Sequence, residues 1–562
     1  MSIIHSRIGG VAVLSKAAPI RPEKSHASAI FALTSVLLTL LTSTMFQAIS
    51  TVVIPRAVAD LNGFSRYPWP STTFALTSAI AMLVFAKLSD LYGRKWIYLI
   101  NTGIFVGSLF IGAAAGTLPI PIDGMNQLVA AHGLLGTSSG AIISLSYVLI
   151  GDLFPPAQRA RYLGLVVITW AFAFVVGPGI GGWITDHFSW RWAFVATAPI
   201  GIIALTTVHF KLPKIRPPLA RRKIDWPGIA TLCGWVLPLL LALTLIGQAG
   251  RSESNANALM ITSATFVVVF LFVEVRAAEP LVVLGLFRDL RISLASLNLL
   301  LTGFSTYGVA VYLPLFIQGA VGLSPTESAA IFTPYLLSIV VGNLACGYFL
   351  SRAGKYHLGG ITGSGLASIG LFLLCRMSGS TSQPEIFLKV IVCGIALGIL
   401  TVTYDVMVQN AAPPEHLGVA TGLTQFVTAL GGTIGLATGG AILLRTYHRH
   451  VDTLIPPGLP KDLAFAFGDP LRLVSQRANL ETSFSRFTNG SSLLARLIEG
   501  SRAGLVSGVH YIFLLSAGIM ATSMVVNLFL TEAPRGTNPK VTAYAGKLQN
   551  TNDSRQSACP RS

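Results

Sequence analysis

The sequence predicts an all-α, polytopic membrane protein, and three observations carry that prediction. Of its 562 residues, 52% are hydrophobic and only 11% charged, whereas ordinary soluble domains carry about 25% charged residues. The mean hydropathy is +0.67. The chain also breaks into fourteen apolar runs of the length a spanning helix needs, about 20 residues. Its 55 glycines agree, since glycine is commoner in membrane helices than in soluble ones. This balance excludes a soluble enzyme, a disordered scaffold and a collagen-like fibre.

In chain order the runs are 29–55, 70–89, 96–117, 126–150, 161–184, 191–210, 226–247, 257–274, 292–319, 328–350, 358–376, 384–409, 417–444 and 508–530. A twelve-span alternative leaves the pair 226–247 and 257–274 outside the core bundle as a hairpin. Residues 1–28 hold no apolar stretch long enough for a cleaved signal peptide and read as a short basic tail. Lysine and arginine then orient the chain. With the N-terminus inside, 25 of the 39 basic residues fall in inner tails and loops, 6 in short outer loops and 8 in the segment near 445–502. Both termini are therefore expected on the cytoplasmic side of a cell membrane, plasma or bacterial inner. The net charge of +17 reads as a solvated inner collar, densest at Arg221-Arg222-Lys223, and not as a nucleic-acid surface.

Cys233, Cys346, Cys375, Cys393 and Cys559 lie far apart, with no CxxC pair, so the expectation is small buried hydrophobes with no disulfide, metal or cofactor. No GxxxxGK[ST] or HExxH pattern occurs, which argues against ATP-driven transport and metal-dependent hydrolysis within this chain.

The chain repeats weakly. Ala86–Lys95 follows the second run and Gly347–Lys355 the tenth; in each, seven residues separate a small residue at the helix end from a turn glycine followed by a base. A duplicated six-span unit with two spans inserted between the copies explains the interval. The expected organisation is a tail (1–28), an N-terminal six-helix bundle (29–210), a basic linker (211–225), two inserted helices (226–274), a C-terminal bundle (275–531, with a long outer loop 445–507) and a tail (532–562). Parallel repeats of this kind place a ligand site near the midplane between the halves.

Four stretches make the chain resemble the major facilitator superfamily, and within it the fourteen-span drug:proton antiporters of multidrug efflux type. The first is Ala86–Lys95. There Asp90 can accept backbone hydrogen bonds, Gly93 permits a tight turn, and Arg94 and Lys95 hold the loop inside. The resemblance implies a conformational latch between the halves; a plain topology anchor is the simpler reading. The second is Ala173–Gly182, with Ala173, Gly177 and Gly181 on one helical stripe and Pro178 and Gly182 beside them. It is similar to the motif that separates antiporters from importers, although generic helix packing would use the same residues. The third is Trp190-Arg191-Trp192-Ala193-Phe194, with Thr197 where the family usually has asparagine. The fourth is Asp225-Trp226-Pro227-Gly228 at the first inserted span.

Two positions depart from the family. Its fourth-helix arginine is His132 here, and the companion glutamine is Leu135; its first-helix aspartate is Phe46, with Gln47 beside it. Both are polar positions linked to proton handling, so the coupling chemistry that the resemblance implies does not carry over directly. Asp405, inside the twelfth run and one turn from Gln409, is the main intramembrane carboxylate. His132 is the second proton-coupling candidate, because histidine changes charge near physiological pH; a hydrogen-bonded structural histidine is the alternative. Gln47, Thr51, Asn298, Tyr307, Tyr312, Gln409 and Asn343 are candidate cavity groups, although for each a helix–helix hydrogen bond is the favoured reading.

The expected protein is a monomeric secondary transporter, not an enzyme. It exchanges protons for a small amphipathic or lipophilic compound by rocking two bundles about a central site. The rivals are an uptake carrier for a nutrient or siderophore on the same fold, a membrane receptor that binds through the 445–502 segment, and, more remotely, a membrane enzyme.

Overall fold

The computed structural model describes residues 26–529 apart from 155, 214–224, 248–252, 278–279, 283, 354–355, 380, 413–416, 457–466, 468–469, 471–472, 474–476 and 486–489. Nearly all of the basic linker, the C-terminal tail with Cys559, most of the N-terminal tail, and Gly354 and Lys355 of the second loop copy thus lie outside the described residues.

Among the described residues the chain is helical without strands, and fourteen helices are long and apolar enough to cross a membrane. The inserted pair is among them, so the count is fourteen and not twelve. The first half contains α1 (His26–Asp60), α2 (Trp69–Tyr92), α3 (Arg94–Ala113), α4 (Gly124–Leu153), α5 (Pro156–His187), α6 (Trp190–Val195) and α7 (Ala198–Lys211). The inserted hairpin is α8 (Trp226–Gly247) and α9 (Glu253–Arg276). The second half follows as α10 (Leu290–Phe316), α11 (Pro325–Ala353), α12 (Tyr356–Cys375), α13 (Gln383–Ala411), α14 (Leu417–Asp452), the short α15 (Arg477–Phe484) and α16 (Gly490–Asn527). Below, the inner end is the one at which α1 begins, and the outer end is its opposite.

Two expectations change. The sixth span is not one helix: α6 ends at Val195 and α7 restarts at Ala198, with Pro199 in its first turn. Proline has no N–H to continue the preceding helix but suits a new first turn. The segment read as a long outer loop, 445–507, is largely helical where it is described. α14 runs on to Asp452 and α16 begins at Gly490. At 38 residues α16 is about 57 Å long, well beyond a hydrocarbon core of about 30 Å. Its polar first turns therefore stand outside the apolar layer as helix, which a search for apolar runs reads as loop.

The two halves pack by the same rule. In the first, α4 crosses α2 through Gly136 and Gly140: a Cβ on Gly136 would stand 2.3 Å from the Phe74 carbonyl oxygen, and one on Gly140 2.1 Å from that of Ser78. In the second, Gly394 and Gly398 of α13 cross α11 in the same way, 2.6 Å from the Tyr335 oxygen and 2.2 Å from that of Ile339. Gly177 and Gly181 of α5 lie against Met45, Ala48 and Ile49 of α1, while Gly431 and Gly435 of α14 lie against Leu300 and Phe304 of α10. Lipid tails are as apolar as leucine, so close helix approach through small residues replaces the hydrophobic drive of soluble cores. The inserted hairpin packs on itself, and α8 leans on α14. Asp289 caps α10 through the Arg291 amide at 2.9 Å, and the Arg291 guanidinium, 2.7 Å away, holds its carboxyl below the usual carboxylate range.

Candidate functional site: the seam between the halves

The halves meet chiefly through α5 against α11 and α2 against α14. At the outer end the seam is closed by directional contacts. Asp186, at the end of α5, accepts the Thr326 amide N–H of α11 at 2.9 Å and also the Thr326 hydroxyl. A Cβ on Gly182 would lie 2.6 Å from the Pro325 carbonyl oxygen, so only glycine fits this approach. The Tyr67 hydroxyl donates to the Val311 carbonyl at 3.0 Å, and the Gln318 amide to the Val52 carbonyl at 2.8 Å. The Phe64 ring meets Tyr447 edge-on at 5.1 Å. Every one of these contacts joins the first half to the second.

The inner part of the seam is built differently. Asp405 on α13 is half-buried; its Oδ1 is buried and has no hydrogen-bond partner. The Thr424 hydroxyl of α14 stands beside the carboxyl while donating to the Thr421 carbonyl at 3.0 Å. Across the seam, within electrostatic reach, is Tyr147 of α4, whose side chain is exposed. The register explains the juxtaposition. Gly136 and Gly140 correspond to Gly394 and Gly398, 258 residues later, and the same interval carries Tyr147 to Asp405. The two residues occupy equivalent positions in the two halves.

The remaining candidates sort by surroundings. His132 is buried inside the first bundle, with Nε2 3.2 Å from the Ser50 hydroxyl and Nδ1 3.0 Å from the Leu128 carbonyl. Its ring lies 6.0 Å from Phe46 and 5.6 Å from Phe194. The two departures from the family pattern, Phe46 and His132, are thus neighbours. Asn298 belongs to a buried network in the second bundle: Ser523 donates to its Oδ1 at 2.6 Å, and Asn527 joins Ser364 at 2.8 Å and Tyr404 at 2.7 Å. The Tyr312 hydroxyl donates to the Leu436 carbonyl at 2.6 Å. These groups spend their hydrogen bonds between helices. Thr51 bonds its own helix at the Ala48 carbonyl, 2.7 Å away. Gln47, Tyr307, Asn343 and Gln409 are half-buried, and the Asn343 Oδ1 has no partner.

The loop after α2 turns at Gly93, whose φ of +93° favours glycine. Asp90 pairs with Arg94 at 3.1 Å, and Arg94 also pairs with Asp152 at the end of α4. Lys95 donates to the His209 carbonyl at 2.6 Å, and Lys87 to the Pro280 carbonyl at 3.1 Å. The loop therefore ties together α2, α4, α7 and the segment after the inserted hairpin. In the glycine motif, Ala173 is buried, Gly177 and Gly181 face α1, and Gly182 faces α11; Pro178 is buried within the helix. Cys233, Cys346, Cys375 and Cys393 are free thiols.

Sequence reasoning passed over Tyr147, Thr424, Asp186 and Gln318. The repeat register would have found Tyr147 once the glycine pairs were aligned. Asp186 was hidden by its place at a helix end, where a carboxylate reads as an ordinary interfacial charge.

Two repeated bundles that meet along one seam, with two further spanning helices beside them, define a polytopic membrane transporter. The chain belongs to the Major Facilitator Superfamily, whose family model matches residues 36–436. It is 29% identical to the multidrug transporter protein MdtP of Bacillus subtilis (strain 168), over 89% of this chain and 92% of that protein. It is 28% identical to multidrug resistance protein 3 of the same organism, over 92% and 98%, and 28% identical to the efflux pump FUS6 of Gibberella fujikuroi, over 78% of each. Among solved structures, the fold is similar to that of a bacterial homolog of the human lysosomal transporter Spinster in an inward-facing, unoccupied conformation. The TM-score is 0.61 at 15% identity, covering 91% of this chain and all of that one.

Proposed function

We propose that this transporter exports small amphipathic or lipophilic compounds in exchange for protons, with Asp405 as the group that carries the proton. One observation carries the reading: a carboxyl in the inner part of the seam with a buried, unpartnered oxygen. A carboxyl placed there can hold a proton or face a substrate, and the two states differ in charge where water is scarce. The names of the relatives, multidrug transporters and an efflux pump, support export of drug-like compounds. The outer seam is the closed gate of one state of the cycle, with the glycine motif of α5 as its hinge-side packing and the loop of Asp90, Gly93, Arg94 and Lys95 as the inner latch, beside the Lys87 contact to the Pro280 carbonyl. In this reading both termini are cytoplasmic, the protein acts as a monomer in the cell membrane, and His132 plays a structural part.

The test uses everted vesicles and a panel of lipophilic dyes. Wild-type vesicles accumulate dye under an inward-acid gradient, and Asp405→Asn vesicles, with equal protein in the membrane, do not. Accumulation by the variant at the wild-type rate and with the same pH dependence would remove Asp405 from the mechanism. Accumulation only under the opposite gradient would make the chain an uptake carrier.

A further inference from the structure

The outer half of the second bundle carries a groove that the transport reading does not use. It lies between α14 and α16 on the side away from the seam and encloses about 960 Å³. Its upper part holds Arg445 and Arg449, one helical turn apart, and the Tyr511 ring; all three side chains are exposed. No carboxylate pairs with either arginine among the described residues. Its lower part is floored by Leu515, Gly518 and Ile519, and a Cβ on Gly518 would meet nothing within 4 Å, so the floor is open there.

Depth gives this arrangement its meaning. A bilayer core takes about 20 helical residues. Counted along α14, whose apolar run is 417–444 and stops next to Arg445, the core ends near residue 444. Counted outward from Asn527, where α16 ends, it ends near residue 508. The two counts agree, because a Cβ on Gly508 would stand 2.8 Å from the Leu443 side chain. Arg445 and Arg449 therefore stand at headgroup depth, while Leu515, Gly518 and Ile519 stand among acyl chains, about 11–16 Å below the level of residue 508 on α16. A groove that is cationic at the headgroup level and apolar beneath it complements a molecule with a phosphate joined to a hydrocarbon chain. Guanidinium groups suit phosphate oxygens because their donors are planar and forked.

We propose that this groove binds one anionic phospholipid, its phosphate held by Arg445 and Arg449 and one acyl chain laid over Leu515, Gly518 and Ile519. The lipid would brace the long outer ends of α14 and α16 against each other. Native mass spectrometry of the full chain, titrated with phosphatidylglycerol or with phosphatidylcholine of the same chains, tests this. The expected result is one retained phosphatidylglycerol adduct with about tenfold preference over phosphatidylcholine. The preference should be lost in Arg445→Gln/Arg449→Gln. Gly518→Trp, which sets a ring into the acyl track from a position where a Cβ meets nothing within 4 Å, should reduce retention of both lipids while sparing the fold. Equal retention of the two lipids by wild type, an unchanged preference in the double variant, or displacement of phosphatidylglycerol by millimolar inorganic phosphate would each overturn the proposal. The last outcome would mean that the site reads the anion alone.

Discussion

The two halves of this transporter share a packing plan and differ in what fills it. Each crosses its helices through glycines four residues apart, in matching register: Gly136 and Gly140 against Gly394 and Gly398, Gly177 and Gly181 against Gly431 and Gly435. Yet the first half buries an aromatic cluster toward its outer end, Phe46, His132 and Phe194, whereas the second buries a polar network toward its inner end, Asn298, Ser364, Tyr404, Ser523 and Asn527. At the seam itself, Tyr147 stands where the second half has Asp405. The difference teaches that the repeat preserves helix contacts, which backbone geometry fixes, while the side chains between those contacts are free to diverge. Of the two equivalent seam positions only the second half's carries a carboxyl, the group to which the proposed function assigns the proton.

The neighbouring Phe46 and His132 give this comparison its sharpest test on stability. A charge buried in a bundle without a partner costs about 3–5 kcal/mol. His132→Arg alone should therefore destabilise the protein by about that much, read as a large fall in melting temperature in detergent. Adding Phe46→Asp should recover most of the loss, since the two rings are 6.0 Å apart. A single variant as stable as wild type would mean that this bundle admits water.

A smaller effect compares the two glycine stripes. A Cβ on Gly431 would stand 2.0 Å from the Leu300 carbonyl oxygen, whereas one on Gly177 would stand 2.9 Å from the Ala48 methyl. Backbone cannot yield as a side chain can, and overpacking costs about 1–3 kcal/mol. Gly431→Ala should therefore lower the melting temperature more than Gly177→Ala does. The reverse order would show that the α5 stripe is under the tighter constraint, as an antiporter-specific motif would require.

The smallest effect concerns the outer seam. Asp186→Ala removes the carboxylate that accepts from Thr326. A hydrogen bond to a charged group contributes about 1.5–3 kcal/mol, and solvent exposure reduces this to about 1 kcal/mol. The ratio of closed-outside to open-outside molecules should fall about fivefold, measured as a larger share of long spin-label distances across the outer ends. An unchanged distribution would mean that Tyr67, Gln318 and the aromatic contacts hold the seam without Asp186.

Much of this fold was legible because its elements are written in hydropathy: a spanning helix must be apolar for its full length, so all fourteen spans could be counted. The helical extensions of α14 and α16 were not legible, because outside the bilayer a polar helix and a polar loop read alike. The break at Ala196–Thr197 was visible only as Pro199 and was missed. Asp405 stood out as a carboxylate inside a span, but its counterpart Tyr147 carries no charge and gave no signal without the repeat register. Asn298 and Tyr312 show the converse limit. Their residue types suit a cavity or a helix contact equally, and only coordinates reveal that their hydrogen bonds are taken by neighbouring helices.

The most direct measurement of the proton-carrying role is proton release on substrate binding. Purified protein in weakly buffered detergent is mixed with a transported lipophilic cation, and the pH change is followed with an indicator. Wild type should release protons in proportion to bound compound, and Asp405→Asn should bind the compound with no release. Equal release from both proteins would contradict the account and assign the proton to another group.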